Sequence, residues 1–285
     1  MSLGHVDRYR VGRETKLGYV LIKDGMEYFL HHNECNGRIL YPDDYVEAFL
    51  YADKQGRVAA TLYPPLVEGG QINFLEVKGV KNELGVFCDI GISKDILLSR
   101  DDLPHDFKEW PRVGEKIVGE LRIKNERLII KMATKGEILS KDVSDKVKYN
   151  LGDTASGTIY RMTDEGISLA TADFQIIFIY KTNYRGLHHL GEELSVKIID
   201  VKDEYYNGSI IKNKEFQIQD DEEIILKYLE ANNGVSLVTD KSSPELIGKL
   251  FNMSKKAYKN ALGGLLKQNK IIITDTKIIL NDLKF

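Results

Sequence analysis

Short apolar stretches recur in the same order three times along the first three quarters of the chain. Each recurrence opens with a glycine that starts an apolar run, at Gly18, Gly85 and Gly166, so the opening glycines lie 67 and 81 residues apart. Thirteen or fourteen residues later, two apolar residues lead into polar or aromatic ones, at His31, Ser99 and Tyr180. Such short stretches are typical of β-strands.

A strongly alternating segment and a charged turn with a last short strand complete each recurrence. The alternating segments are Tyr45–Leu50, Gly114–Leu121 and Gly191–Ile198, and a period of two predicts strands with one buried face. Short strands of this number, with glycine in the turns, favour closed barrels, because closure removes the exposed edges of an open sheet. The pattern predicts three tandem all-β barrels over residues 1–66, 67–136 and 137–219.

The pattern changes to a helical period in the tail, residues 220–285. Four acidic residues, Asp220–Glu223, are expected to start a helix. Ser243 followed by Pro244 predicts the N-cap and first position of a second helix, and Ser254 predicts the cap of a third that runs to Gln268. Two apolar runs around residues 275–277 then predict a hairpin. Helix-turn-helix plus hairpin indicates an α+β winged-helix domain.

The net charge of the chain excludes the class of strongly basic, histone-like nucleic-acid-binding proteins. Lys and Arg number 40 and Asp and Glu 43, a net charge of −3, so nucleic-acid binding would depend on local patches. The third predicted barrel carries 13 acidic against 10 basic residues, whereas the tail carries 9 against 10. Nucleic-acid binding by the barrels is therefore expected to depend on more than their net charge.

The cysteine content and the lack of long apolar runs in the sequence indicate the cellular compartment. Two cysteines, Cys35 and Cys88, cannot form a disulfide framework. No apolar run approaches the roughly 18 residues of a membrane span, and the start lacks the long apolar stretch of a secretion signal. We expect a cytoplasmic protein that does not enter the membrane.

The repeated plan resembles the ribosomal S1-type RNA-binding domain, a five-stranded OB-fold. The likeness is clearest in Gly85-Val86-Phe87 and in the segment from Phe29 to Glu34, with its histidine and terminal acid. The tail run 240–255, together with Asp102-Leu103-Pro104 and Trp110-Pro111, resembles the conserved virulence factor B family of bacterial proteins. In that family three such OB-folds precede a winged helix, so the resemblance covers nearly the whole chain.

This resemblance implies RNA binding in the cytoplasm and post-transcriptional control of virulence-related gene expression, without catalysis. The sequence departs from the family pattern in two ways. The family histidine is retained at His31 but replaced by Ser99 and Tyr180, and Ile167 stands where an aromatic residue is expected on the glycine-opened strand, taken here as the first of each barrel. Repeat three is therefore expected to bind weakly or to act as a spacer.

OB-folds bind single strands by stacking bases on aromatic side chains while Lys and Arg follow the phosphates. The candidate RNA-binding residues of the three barrels are Tyr19, His31 and Arg57 in the first, Phe87, Arg100 and Arg127 in the second, and Tyr180 and Lys181 in the third. The alternative for each aromatic residue is a place in the barrel core, where strand aromatics usually lie.

Lysines on the third tail helix are a second candidate surface. At 100° per residue, Lys256, Lys259 and Lys267 share its exposed face with Asn260. A winged helix inserts that face into a major groove, although exposed lysines also serve solubility. The alternatives to RNA regulation are thus a DNA-binding transcription factor and a ribosome-associated interaction scaffold.

Enzyme and metal chemistry have little support in the sequence. His31-His32 with Cys35, and His188-His189, could supply metal ligands, but neighbours on a strand point to opposite faces. No phosphate-binding glycine loop or nucleophile signature is found in the sequence. We expect no catalytic residues, no metal and no cofactor, with single-stranded RNA as the partner.

Overall fold

The computed structural model describes residues 3–53, 55–210 and 214–281, with side chains in the last range from Asp221 onward. The chain forms two compact units. The first comprises Met1–Tyr180 and Leu187–Gly208, and the second Lys181–Gly186 and Ser209–Phe285. Each is described by itself.

Three closed five-stranded barrels make up the first unit, as predicted. The strands of barrel one are β1 Val6–Thr15, β2 Gly18–Lys23, β3 Met26–His31, β4 Tyr45–Ala52 and β5 Val58–Thr61. Those of barrel two are β6 Ile72–Lys81, β7 Gly85–Cys88, β8 Ile96–Ser99, β9 Lys116–Lys124 and β10 Arg127–Met132. After helix α1, Lys135–Ser140, the strands of barrel three are β11 Thr154–Met162, β12 Gly166–Ala170, β13 Ile176–Tyr180, β14 Glu193–Val201 and β15 Tyr206–Ser209.

All three barrels have the same strand order. In barrel one it is β1-β2-β3-β5-β4 with closure between β4 and β1, and β3 and β5 are parallel. The expectation that the glycine-opened strand is the first of each barrel was wrong. A long strand precedes it each time, and its pairing with the glycine-opened strand contains a bulge in each barrel.

The opening glycines fix the pairing of the second and third strands of each barrel. Gly18 pairs with His31, Gly85 with Ser99 and Gly166 with Tyr180. A β-carbon at any of the three would lie 2.1 Å from a backbone carbonyl oxygen of the neighbouring strand, and Gly85 also has a φ of +132°. Glycine is required because any side chain would force the strands apart.

Direct contacts join barrels one and two. The Leu66 amide donates to the Ile90 carbonyl at 2.7 Å, and the Lys94 ammonium donates to the Ala52 carbonyl at 2.6 Å. The hydroxyl of Ser93 donates to the buried carboxylate of Glu34. These bonds hold backbone and side chains of one barrel against the other.

Barrels two and three share apolar and polar contacts. The rings of Phe74 and Phe174 lie 5.1 Å apart in a cluster that draws on both barrels. His189 is buried in a turn before β14, where Nε2 lies 2.8 Å from Glu115 Oε1 and Nδ1 lies 3.3 Å from Glu192 Oε2. Because His188 also contacts Glu192, the expectation that these two histidines point to opposite strand faces was wrong.

The second unit contains a winged-helix domain, as predicted. Its elements are α2 Lys214–Ala231, β16 Val235–Ser236, α3 Pro244–Phe251, α4 Lys255–Lys267, β17 Ile271–Ile273 and β18 Ile278–Leu280. Ser243 and Ser254 cap α3 and α4 as expected, and Asn252 adopts the left-handed conformation in the turn between them. The core includes Tyr258, whose hydroxyl donates to the Val238 carbonyl at 2.9 Å.

The acidic run does not start the first tail helix, because α2 begins six residues earlier, at Lys214. Two of the acids are buried and paired instead. Asp221 accepts a hydrogen bond from Arg185 at 2.9 Å, and Glu222 accepts one from Gln268 at 2.8 Å. These two carboxylates therefore attach α2 to Arg185 and Gln268 and do not lie at its N-terminus, where they would stabilise the helix dipole.

No helix in the part of the chain that the structure describes is both long and apolar enough to cross a membrane.

We expect Gly85→Ala to lower the free energy of unfolding of barrel two by about 2–4 kcal/mol, because the added methyl would collide with the Leu98 carbonyl and strain the backbone. Gly79→Ala is the matched control, since the nearest atom to its new methyl lies 4.0 Å away. Urea unfolding followed by the fluorescence of Trp110, the single tryptophan, measures both. Equal losses would contradict the packing argument.

Candidate nucleic-acid interface

The glycine-fixed pairing decides which side chains of the second and third strands face outward. The residue after each glycine points into the barrel, and the next points out, because side chains alternate along a strand. We call the outward positions of these two strands the stacking face. Its members are Val20, Phe29 and His31 in barrel one, Phe87, Leu97 and Ser99 in barrel two, and Ser168, Phe178 and Tyr180 in barrel three.

Tyr19 does not lie on the stacking face. Its ring is 4% exposed and belongs to the core of barrel one, so it offers no surface to a base. Tyr19 is one residue after its opening glycine and Phe87 is two residues after its own. The side chain of Tyr19 therefore points into its barrel, whereas that of Phe87 points outward. Ile167 occupies the same inward position as Tyr19 and is fully buried. The absence of an aromatic residue there therefore changes the barrel core and not the stacking face. Phe29, 38% exposed, is the outward aromatic that the sequence analysis missed.

His31 lies at the end of the stacking face, 6.2 Å from the Phe29 ring between centroids. Its Nδ1 accepts a hydrogen bond from the Asn33 amide at 3.1 Å and caps a short 3₁₀ turn. Ser99 caps the equivalent turn in barrel two by accepting from the Asp101 amide at 3.3 Å. The replacement of histidine by serine thus preserves the cap while removing the ring.

Phe87 is half-buried on the face of barrel two, opposite Leu97, with the Lys81 ammonium 5.6 Å from its ring centroid. Arg100 and Arg127 are both exposed. Because β10 runs parallel to β8 with Ile130 opposite Leu98, the two arginines lie about five residues, roughly 16 Å, apart along the strands. Along the strand direction, the level of Phe87, which is opposite Leu97, falls between the two arginines.

Arg57 is far from His31 within barrel one. Since Ala59 lies opposite Phe29, Arg57 is level with Glu27, about 13 Å along the strand from His31. Its guanidinium donates from Nε and Nη2 to Asp53 at 2.9 and 2.7 Å. Burial would raise the pKa of Asp53, but the hydrogen bonds from Arg57 hold it below its usual value, so Arg57 is paired at neutral pH.

Barrel three carries a groove with several aromatic side chains. Phe178 and Tyr180 meet edge to face with centroids 4.7 Å apart, and Tyr205 lines the same groove, which has a volume of about 240 Å³. Lys135 lies 4.8 Å from the Tyr205 ring, and the exposed Arg161 also lines the groove. Of these residues, the sequence predicted only Tyr180. Phe178 belongs to the apolar pair that precedes Tyr180 on β13 and was not proposed to bind RNA, and Lys135, Arg161 and Tyr205 lie on segments that the spacing pattern does not connect.

Lys181 and the three tail lysines are exposed. Lys181 follows β13 in a short 3₁₀ turn. Lys256, Lys259 and Lys267 all lie on α4, and the Lys259 ammonium is 3.7 Å from an Asp240 carboxylate oxygen. The helical-face prediction of exposure is therefore correct for all three.

Tandem barrels with outward aromatic residues and nearby cations, followed by a winged helix, define the class of multidomain proteins built from nucleic-acid-binding folds. Three family models match successive parts of the chain: an S1 domain at residues 3–63, the CvfB first S1-like domain at residues 72–131 and the CvfB-like winged helix domain at residues 223–280. None of the three describes an enzyme.

Similar proteins cover nearly the same length. The protein YitL of Bacillus subtilis is 32% identical over 92% of this chain and 88% of its own, and conserved virulence factor B of Staphylococcus haemolyticus is 30% identical over 81% and 78%. A solved structure from Streptococcus pneumoniae, described as a multidomain protein with nucleic acid binding domains, is 26% identical with a TM-score of 0.61 over 98% of both chains. The chain belongs to the conserved virulence factor B family.

The different positions of Tyr19 and Tyr180 give opposite expectations for stability. Tyr19→Ala should lower the free energy of unfolding by about 3–5 kcal/mol, because it empties part of the barrel-one core. Tyr180→Ala should change it by less than about 1 kcal/mol, since 44% of this side chain is exposed. Calorimetric unfolding of the two full-length variants distinguishes them, and similar losses would contradict the assignment of Tyr19 to the core.

Proposed function

We propose that the chain binds single-stranded RNA in the cytoplasm and acts as a post-transcriptional regulator. The observation that carries this proposal is the repeated stacking face, which presents an aromatic side chain in each of three barrels of one compact unit. A stacked base contributes about 1–3 kcal/mol whatever its identity. Single strands are the ligands that suit such faces, because their bases are free to stack.

Barrel three is proposed as a binding barrel and not as a spacer. Phe178 and Tyr180 supply two adjacent rings, and Lys135 and Arg161 supply cations beside them. The groove lining also includes Glu165, and the Lys135 ammonium lies 3.3 Å from a Glu204 carboxylate oxygen. Arg161 is therefore the cation of this groove that we expect to contact phosphates, and base stacking supplies most of the attraction. Barrel two supplies one ring, Phe87, with Arg100 and Arg127 beyond it on either side.

The winged helix supports a second function, duplex DNA binding. Its three exposed lysines lie on the helix that such domains insert into a major groove. We favour RNA because aromatic stacking faces outnumber this one groove-reading surface. In the RNA proposal the lysines contact phosphates of the same single strand.

Comparison of three ligands tests the proposal. Filter binding of single-stranded RNA, single-stranded DNA and duplex DNA of the same sequence, each at two salt concentrations, should give the tightest binding to RNA. Duplex binding that equals or exceeds RNA binding at matched salt would overturn this order and favour the DNA-binding function. In the same assay Tyr180→Ala should weaken RNA binding by about 1–3 kcal/mol.

Tyr45→Ala is the control for that variant. Tyr45 is a 58% exposed tyrosine on β4, outside the stacking face, with Arg8 packed 4.6 Å from its ring centroid. Its loss should leave RNA affinity unchanged. Equal weakening by both variants would show that the stacking face has no special role.

Phosphate contacts by the tail should appear in the salt dependence of binding. Replacing Lys256, Lys259 and Lys267 by glutamine should weaken RNA binding and lower the slope of log affinity against log salt by about 1–2 units, at about 0.7 per contact. The control replaces Lys23, Lys78 and Lys227, whose ammonium groups pair with Asp7, Glu76 and Glu223, and it should leave the slope unchanged. An unchanged slope in the first variant would assign α4 to DNA or a protein partner.

A further inference from the structure

Helix α4 of the winged-helix domain contains a glycine in its interior. Gly263 lies four residues before the end of the helix at Lys267. Glycine is among the least favourable residues in a helix interior, because it loses the most backbone freedom on folding. Such a glycine calls for a reason, which is either close packing within the fold or a contact outside it.

Close packing within the fold does not require Gly263. A β-carbon built there meets no heavy atom of the described chain within 4 Å, apart from its chain neighbours and the backbone of α4 itself. Its backbone is helical, which is a conformation that alanine adopts more readily than glycine. Unlike the opening glycines of the barrels, Gly263 therefore leaves an open gap that a side chain could fill without collision.

The gap lies on the exposed face of α4 with a cation at each end. Residues three and four positions apart adjoin on a helix surface, so the side chains that border Gly263 are Lys259, Asn260, Leu266 and Lys267. All four are exposed. The gap is thus a shallow depression between two lysines.

The charge of this face favours a polyanion. α4 carries four lysines and no acidic residue, and Lys256 extends the exposed face toward the start of the helix. Across the residues that the structure describes, the one ion pair of Lys256, Lys259 and Lys267 is the 3.7 Å contact between Lys259 and Asp240. Lysines spaced along one helix face complement the regularly spaced charges of a phosphate backbone.

We propose that Gly263 is a contact position of α4, where the absent side chain lets the sugar–phosphate backbone of bound RNA lie directly against the helix. The lysines on either side of the gap then reach phosphates of the same strand. Close approach of a ligand to the protein backbone is one of the recurrent uses of glycine. The inference rests on the proposed function, because its ligand is the single-stranded RNA of that proposal.

Gly263→Ala should have opposite effects on stability and on binding. Because alanine favours the helix, the midpoint of thermal unfolding of the winged-helix domain should rise by about 3–8 °C. RNA affinity should fall about 5- to 150-fold, which is the usual cost of an extra methyl in a packed contact. Far-ultraviolet circular dichroism of the full-length protein follows this unfolding, since α2, α3 and α4 are the long helices of the described chain. Filter binding of single-stranded RNA measures the affinity.

Gly248→Ala is the matched control. Gly248 lies within α3, and a β-carbon built there also meets no atom of the described chain within 4 Å. Its neighbours three and four positions away include Glu245 and no cation. This variant should raise the unfolding midpoint in the same way and leave RNA affinity unchanged. Equal loss of affinity in both variants would assign the effect to stiffer helices and overturn the inference.

Gly263→Lys separates close approach from charge. If the face attracted RNA by charge alone, a lysine at its centre would strengthen binding and raise the salt slope by about 0.7. If the RNA backbone lies against the helix, the long side chain obstructs it and binding should weaken. Stronger binding by Gly263→Lys, or unchanged binding by Gly263→Ala, would contradict the proposed contact.

The remaining outcomes separate this inference from the proposed function. Weakening by Gly263→Ala that is confined to duplex DNA of the same sequence would overturn the contact with single-stranded RNA. Failure of the unaltered protein to bind single-stranded RNA would reject the RNA-binding function itself.

Discussion

Each barrel depends on one close contact, the approach of a glycine on the second strand to a carbonyl oxygen of the third. Gly18, Gly85 and Gly166 leave no space for a side chain, because a β-carbon added at any of them would lie 2.1 Å from the carbonyl oxygen. Because these glycines are the places where the strands can come together so closely, they fix the register, and the register fixes which residues face outward. The three stacking faces differ in side chains but share this geometry, which is why they are comparable position by position.

Features that depend on local sequence could be predicted. The helix caps at Ser243 and Ser254 and the exposed face of α4 follow from a few neighbouring residues, and the repeated glycine spacing indicated the barrels. The orientation of Tyr19 could not be predicted by matching aromatic residues, because a shift of one position exchanges core and surface. The signal that would have helped was the pairing of each glycine with His31, Ser99 or Tyr180, read as a register.

Contacts between segments far apart in the chain could not be predicted from the sequence. Glu34 and Ser93 are 59 residues apart, and the groove of barrel three combines α1 with strands far along the chain. The acidic run at the start of the tail shows the same limit. Its charge pattern is typical of a helix start, yet Asp221 and Glu222 are buried in ion-pair and hydrogen-bond contacts with Arg185 and Gln268, residues the local pattern does not include.

The packing of the barrels against one another bears on how strongly a single strand would be held. The bonds from Leu66 to Ile90 and from Lys94 to Ala52, with the shared core around Phe74 and Phe174, join the three faces in one unit. Joined sites raise the effective concentration of each face for a strand already bound at another, provided that the strand can span them. In the proposed RNA-binding function, individually modest stacks would then combine into firm binding. A face with few cations, such as that of barrel one, would still contribute because its neighbours would retain the strand.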